Sequence, residues 1–177
     1  MPPLILGCKS AEGEVTANRL VLLVAIISVI AIAEAAVAQR TAPAFGDYPV
    51  SDVYTGPNAQ VRLATEADRT FRTRLRDASR EKPNYAGHYV IATWGCGTEC
   101  IHGAAIDVRT GEVIWWPATI CCSSHDMDAN FEAVSFRLNS RLIVLTGLRN
   151  EKEGDDAAHY YIIDNKRFVS VADVRLK

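Results

Sequence analysis

Three short turns decide what this chain can build. Arg109-Thr110-Gly111, Arg137-Leu138-Asn139-Ser140 and Asp164-Asn165-Lys166-Arg167 each separate two runs rich in β-branched and aromatic residues. Turns this short reverse the chain, whereas a parallel crossover needs about a dozen residues or more. Antiparallel pairing is therefore expected for Ala104 to Val108 with Glu112 to Trp116, for Phe131 to Phe136 with Arg141 to Leu145, and for His159 to Ile163 with Phe168 to Val174. His88 to Trp94 adds another strand. There is no parallel βαβ pattern, which argues against a Rossmann-type nucleotide site.

One helix is predicted ahead of the strands. The Thr65 hydroxyl can cap it, and Asp68 three residues on can answer in a capping-box manner. Phe71, Leu75 and Ala78 share one helical face, and Pro83 ends the pattern. The other face carries Arg69, Arg72, Arg74, Arg76 and Arg80 among Glu66, Asp68, Asp77 and Glu81, which reads as a solvated face rather than a phosphate site. The predicted fold class is α+β: an antiparallel meander of six to seven strands, as a curled sheet or sandwich, with one N-terminal helix.

The front of the chain has a different grammar. Leu20 to Ala33 is apolar apart from Ser28, with Arg19 before it and Ala36-Val37-Ala38 after it. Basic flank, short apolar run and small-x-small site read as a signal peptide over residues 1–38, cleaved after Ala38. Glu12 and Glu14 do not suit export, so translation from Val15 is expected, with the conventional leader Thr16-Ala17-Asn18-Arg19. Residues 39–60, rich in Pro, Ala and Gly, read as an extended lead-in, and 61–177 as a single α+β domain without a membrane span after cleavage. Cleavage removes Lys9, Arg19, Glu12, Glu14 and Glu34, leaving 17 basic and 18 acidic side chains of the original 19 and 21. That balance gives no electrostatic case for nucleic acid.

Cys96, Cys100, Cys121 and Cys122 survive cleavage, and an even number in an exported chain favours disulfides. Four cysteines allow three pairings, and spacing does not choose among them. A Zn²⁺ site on Cys96, Cys100, one of the adjacent pair and His102 or His125 is the competing reading, as is a cysteine nucleophile with His102 as base. No cofactor is implied. His88 lies between Tyr85 and Tyr89 and could line a site, as could His159 beside Tyr160 and Tyr161. Trp115 and Trp116 must point to opposite faces of their strand, one to the core and one to a partner. Glu151, Glu153, Asp155 and Asp156 read as a solvated acidic turn rather than a Ca²⁺ loop.

Asn84-Tyr85-Ala86-Gly87-His88-Tyr89, Trp94-Gly95-Cys96-Gly97-Thr98-Glu99-Cys100, Cys121-Cys122 and Leu138-Asn139-Ser140-Arg141-Leu142 resemble an uncharacterised family of small exported proteobacterial proteins. The likeness covers roughly residues 65–175 and implies a periplasmic domain. It supplies no catalytic residues. Size, export and β-rich build are also similar in kind to periplasmic lysozyme inhibitors, at fold level only. The expected function is a non-enzymatic binding module for an envelope or extracellular protein, an inhibitor in the sharper form. The candidate binding residues are Trp94, Gly95, Gly97, Thr98, Glu99, His88, His102, Trp115 and Trp116. The alternatives are a thiol- or Zn-dependent enzyme using His88, His102 and Cys100, and a structural envelope protein.

Overall fold

In the computed structural model, residues 42–123 and 131–176 are described; the expected signal segment 1–38 and His125 lie outside the described residues. Eight strands follow in order: β1 Tyr89–Gly97, β2 Cys100–Asp107, β3 Val113–Trp115, β4 Ile120–Cys121, β5 Val134–Phe136, β6 Leu142–Arg149, β7 Ala157–Asp164 and β8 Arg167–Arg175. Every pairing is antiparallel. The path runs β1-β2-β4-β6-β7-β8, with β3 also on β2 and β5 also on β6, and the sheet does not close. The strand that the predicted pattern lacks is β4. It has only two residues, too few to show a period, yet it joins the halves of the sheet by pairing with both β2 and β6.

Where one helix is predicted, two short ones occur: α1 Glu66–Thr70 and α2 Arg72–Ala78. The start is built as the residues dictate, with the Asp68 N–H donating to Thr65 Oγ1 at 3.1 Å and the Thr65 N–H donating to Asp68 Oδ2 at 2.7 Å. The break falls at Phe71, which leaves helical geometry (φ −97°, ψ 18°). Just before it, the Thr70 hydroxyl donates back to the Glu66 carbonyl, a bond that bends helices. The Phe71 ring stacks on Trp94 at 4.9 Å, so the break aims the ring at the sheet. Among the described residues no helix is long and apolar enough to cross a membrane.

Strand alternation sorts the core to the two faces of the sheet. Ala92, Trp94, Ala104 and Ile106 pack with Leu75, Phe71 and Ala78 under the helices. Ile91, Ala105, Ile114, Trp116, Ile120, Ile143, Leu145 and Tyr161 fill the opposite face around Tyr85. The adjacent tryptophans point to opposite faces as expected: Trp116 is buried on the second face, and half-buried Trp115 packs against the core of the first. Gly103 makes room for Trp116, since a Cβ there would meet the indole at 2.8 Å.

The lead-in is an integral part of the domain, and the compact unit begins at Ala42 rather than at residue 61. Its backbone N–H groups donate along the body: Val50 to the Asn139 carbonyl, Tyr54 to Gly87, Ala59 to Val108 and Arg62 to Gly111. The Asn84–Tyr89 and Leu138–Leu142 motifs receive this strap. Tyr85 and Tyr89 exchange backbone hydrogen bonds, and Asn84 Oδ1 accepts the Ile91 N–H at 2.8 Å. The Ser140 hydroxyl reaches the Phe45 carbonyl at 2.8 Å, and the Tyr85 hydroxyl donates to the Arg141 carbonyl. These recognisable strings are thus backbone clamps first.

Candidate functional site

The β1–β2 hairpin ends in a tip that is built to be rigid. The segment between the strands expected at His88–Trp94 and Ala104–Val108 is itself strand almost throughout, with only Thr98 and Glu99 left in the turn. Register shifts between Gly95 and Gly97, which leaves Cys96 as the extra residue of a bulge. Glu99 takes a left-handed backbone (φ 56°) to close the turn. Cys96 is bonded to Cys100, with Cα atoms 5.1 Å apart, inside the usual disulfide range. Gly95, Cys96, Gly97, Thr98 and Glu99 are all exposed, whereas Trp94 and Cys100 at the base are buried.

The other two cysteines correct the expectation of two bridges: Cys121 is a buried thiol and Cys122 an exposed one. Cys121 stands directly opposite Cys100 in the β2–β4 register, but Cys100 is already bonded within its own hairpin. Burial, with Cys122 beside it, pushes the Cys121 thiol up to about 12. A Zn²⁺ site on Cys96 and Cys100 is therefore not supported, because a disulfide offers no thiolates. Cys100 as a nucleophile fails for the same reason. Next to these sulfurs is a cavity of about 220 Å³, lined by Glu99, Ile101, Cys121, Cys122, Phe131 and Thr146.

Below the tip the aromatic candidates form a packed row. Trp94 and His102 are register partners, their rings edge to face at 5.9 Å. Trp115 lies 5.5 Å from both. Trp94 and Trp116, both named as candidate binding residues, are 6% and 4% exposed, so neither offers a partner an aromatic surface; Trp116 is the core member of the adjacent pair. The Trp115 indole N–H donates to Asp68 Oδ1 at 2.9 Å, which ties the ring to α1. These rings support the tip from beneath. Burial lowers the pKa of His102, and the imidazole meets the backbone of Ala118.

His88 sits elsewhere, in a cleft of about 440 Å³ lined also by Asp52, Tyr89, Arg109 and Arg141. Arg109 grips Asp107 with two bonds of 3.1 Å, and His88 Nε2 stands 4.0 Å from the same carboxylate. Burial, then the Arg109 charge, lower the His88 pKa. Among the described residues Nε2 is buried without a hydrogen-bond partner. His159 is more enclosed still. Its ring nitrogens each stand 2.9 Å from an oxygen, Asp173 Oδ1 and the Gly147 carbonyl. Arg149 bonds Asp155, Asp173 and the Tyr161 hydroxyl, so the acidic turn is partly a salt-bridge partner rather than a freely solvated loop.

His88 and His102 give a pH prediction. Their folded pKa values lie below that of an ordinary imidazole, so between those values and about 6.5 the unfolded chain binds more protons. The stabilisation is complete above about 6.5 and is lost as pH falls below it. Asp68, despite burial, is held low by hydrogen bonds from Thr65 and Trp115, and Asp155 is held low by Arg149. Their contribution is present above about pH 4 and lost in stronger acid. The melting temperature is expected to be lower at pH 5 than at pH 7.5. The difference should shrink in the His88→Gln/His102→Gln variant, and an unchanged difference would refute the assignment.

Comparison with family models, curated proteins and solved structures gives no match. Sequence reasoning singled out the tip residues and missed three parts of their support. Asp68 was read as solvated and is 3% exposed. β4 and the 42–64 strap were not read as parts of the sheet assembly. No local signal marks the Asp68 bond to Trp115, the pairing of β4 or the docking of the strap, because each depends on a partner far away in the chain.

Proposed function

We propose that the chain is an exported, periplasmic, non-enzymatic binding module that presents the Gly95–Glu99 tip to a protein of the envelope, in the manner of an inhibitor. The observation that carries this reading is the contrast within one hairpin: five consecutive exposed residues, closed by a disulfide, stand on a buried aromatic base. A tip already held in one shape loses little entropy on binding, which is what a recognition loop requires. The export reading comes from the leader, and kinship with the small proteobacterial proteins is proposed on the shared motifs. The thiol enzyme is less well supported, since Cys100 is bonded and Cys121 is protonated at neutral pH.

The test compares the mature protein with a Thr98→Arg/Glu99→Lys variant of equal melting temperature. Both are immobilised against periplasmic and wall-associated protein and assayed for lysozyme inhibition. A partner bound by the native tip should lose at least about tenfold in affinity to the variant, as hot-spot changes do. An empty capture together with no inhibition rejects the reading. Equal binding by both proteins moves recognition away from the tip.

A further inference from the structure

We propose that Cys121 is an internal attacking thiol for the Cys96–Cys100 bridge, so that the domain interconverts between a Cys96–Cys100 and a Cys100–Cys121 disulfide. The geometry is that of the sheet. Cys100 and Cys121 are direct antiparallel partners, and partners share a face. Such pairs hold their Cα atoms about 4.5–5.5 Å apart, within the span a disulfide bridges. Cys100 thus has two sulfur neighbours within reach, one along its own hairpin and one across the sheet. β4 is held in place by its pairing with Leu148 and Arg149 of β6. A Cβ on Gly147 would meet the Cys121 carbonyl at 2.5 Å, so this glycine permits the close approach. The adjoining cavity of about 220 Å³ gives the Cys121 side chain room to turn.

The exchange needs no oxidant or reductant. The Cys121 thiolate attacks Cys100 Sγ, the Cys100–Cys121 bond forms, and the Cys96–Cys100 bond breaks. The electron pair leaves on Cys96 Sγ, which takes up the equivalent of the proton that Cys121 lost. Because the Cys121 thiol is held near 12, the thiolate is scarce at neutral pH, and the rate should rise about tenfold per pH unit between 7 and 9. The first isomer braces the tip. The second releases an exposed Cys96 thiol and staples β2 to β4 instead. Any effect on partner recognition rests on the function proposed above; the exchange itself does not.

The measurement uses protein purified from the periplasm without reductant, incubated at pH 7, 8 and 9, quenched in acid and alkylated with N-ethylmaleimide. Trypsin leaves Cys96 and Cys100 in the peptide 81–109, and Cys121 and Cys122 in 110–137; cleavage after Glu99 then separates Cys96 from Cys100. At the start, label should sit on Cys121 and Cys122. With time the monomer should yield the two tryptic peptides joined through Cys100 and Cys121, with label moved to Cys96. Cys121→Ser should abolish the joined peptides and Cys122→Ser should keep them. No joined peptides after incubation at pH 9, or joined peptides that survive Cys121→Ser, would overturn the proposal. Loss of partner capture alone leaves this readout unchanged, so the two proposals fail separately.

Discussion

Replacing His159 by alanine is expected to destabilise the domain by about 3–5 kcal/mol, lowering the melting temperature by roughly 10–20 °C. The ring is fully buried in β7, so truncation leaves a cavity as well as lost bonds. Nε2 and the Gly147 carbonyl link β7 to the end of β6 that pairs with β4, and Nδ1 links β7 to Asp173 of β8. Alanine removes both bonds and leaves the Gly147 carbonyl without its side-chain partner in a dry place, a loss of about 1–3 kcal/mol before the cavity is counted. The Asp173 end matters less. Its side chain is 42% exposed and keeps Arg149 as a partner at 3.1 Å, so Asp173→Asn should cost about 1 kcal/mol or less. Urea denaturation of the two variants separates the contributions. A loss below about 1 kcal/mol for His159→Ala would mean that strand pairing alone holds β6, β7 and β8 together.

What could be read from the chain divides by range of interaction. Asp164-Asn165-Lys166-Arg167 announces a hairpin because Asn165 and Lys166 both accept left-handed backbone, at φ 46° and 62°, which a two-residue turn requires. Thr65 and Asp68 announce a helix start because the reciprocal bonds lie three residues apart. The opposite faces of Trp115 and Trp116 follow from strand alternation alone. The break at Phe71 is not legible in the helical period of Phe71, Leu75 and Ala78, and the ring it is aimed at, Trp94, lies 23 positions along the chain. Nor is the cysteine pairing legible. Cys100 has Cys96 beside it across the β1 bulge and Cys121 opposite it in β4, and residue spacing alone does not say which sulfur it is bonded to. Trp94 and Trp116 were placed at a binding surface for their residue type, yet each is core because helix or sheet covers it. The tip residues came through as candidates because Gly-x-Gly-x-Glu around two cysteines marks a turn, and turns are exposed.

Asp68→Ala is expected to cost about 2–4 kcal/mol, more than loss of an ordinary helix cap. Its two oxygens serve different elements. Oδ2 accepts the Thr65 N–H at 2.7 Å, closing the cap, and Oδ1 accepts the Trp115 indole N–H at 2.9 Å, pinning α1 to β3. Alanine loses the reciprocal half of the capping box, roughly 1 kcal/mol, and leaves a half-buried indole N–H unpaired, roughly 1–3 kcal/mol. Asp68→Asn keeps the shape but turns an NH₂ group towards one of two donors, so an intermediate loss is expected. In a Trp115→Phe background the second donor is absent, and Asp68→Ala should then cost at least about 1 kcal/mol less. Equal cost in both backgrounds would confine Asp68 to capping. The consequence reaches the tip, because Trp115 packs against Trp94 and His102 directly below it. If the helix pin holds that row, Asp68→Ala should speed amide exchange at Trp94, Cys100 and His102 while leaving β7 and β8 protected. Exchange that rises uniformly would show instead that the domain melts as a single unit and that the row under the tip has no separate support.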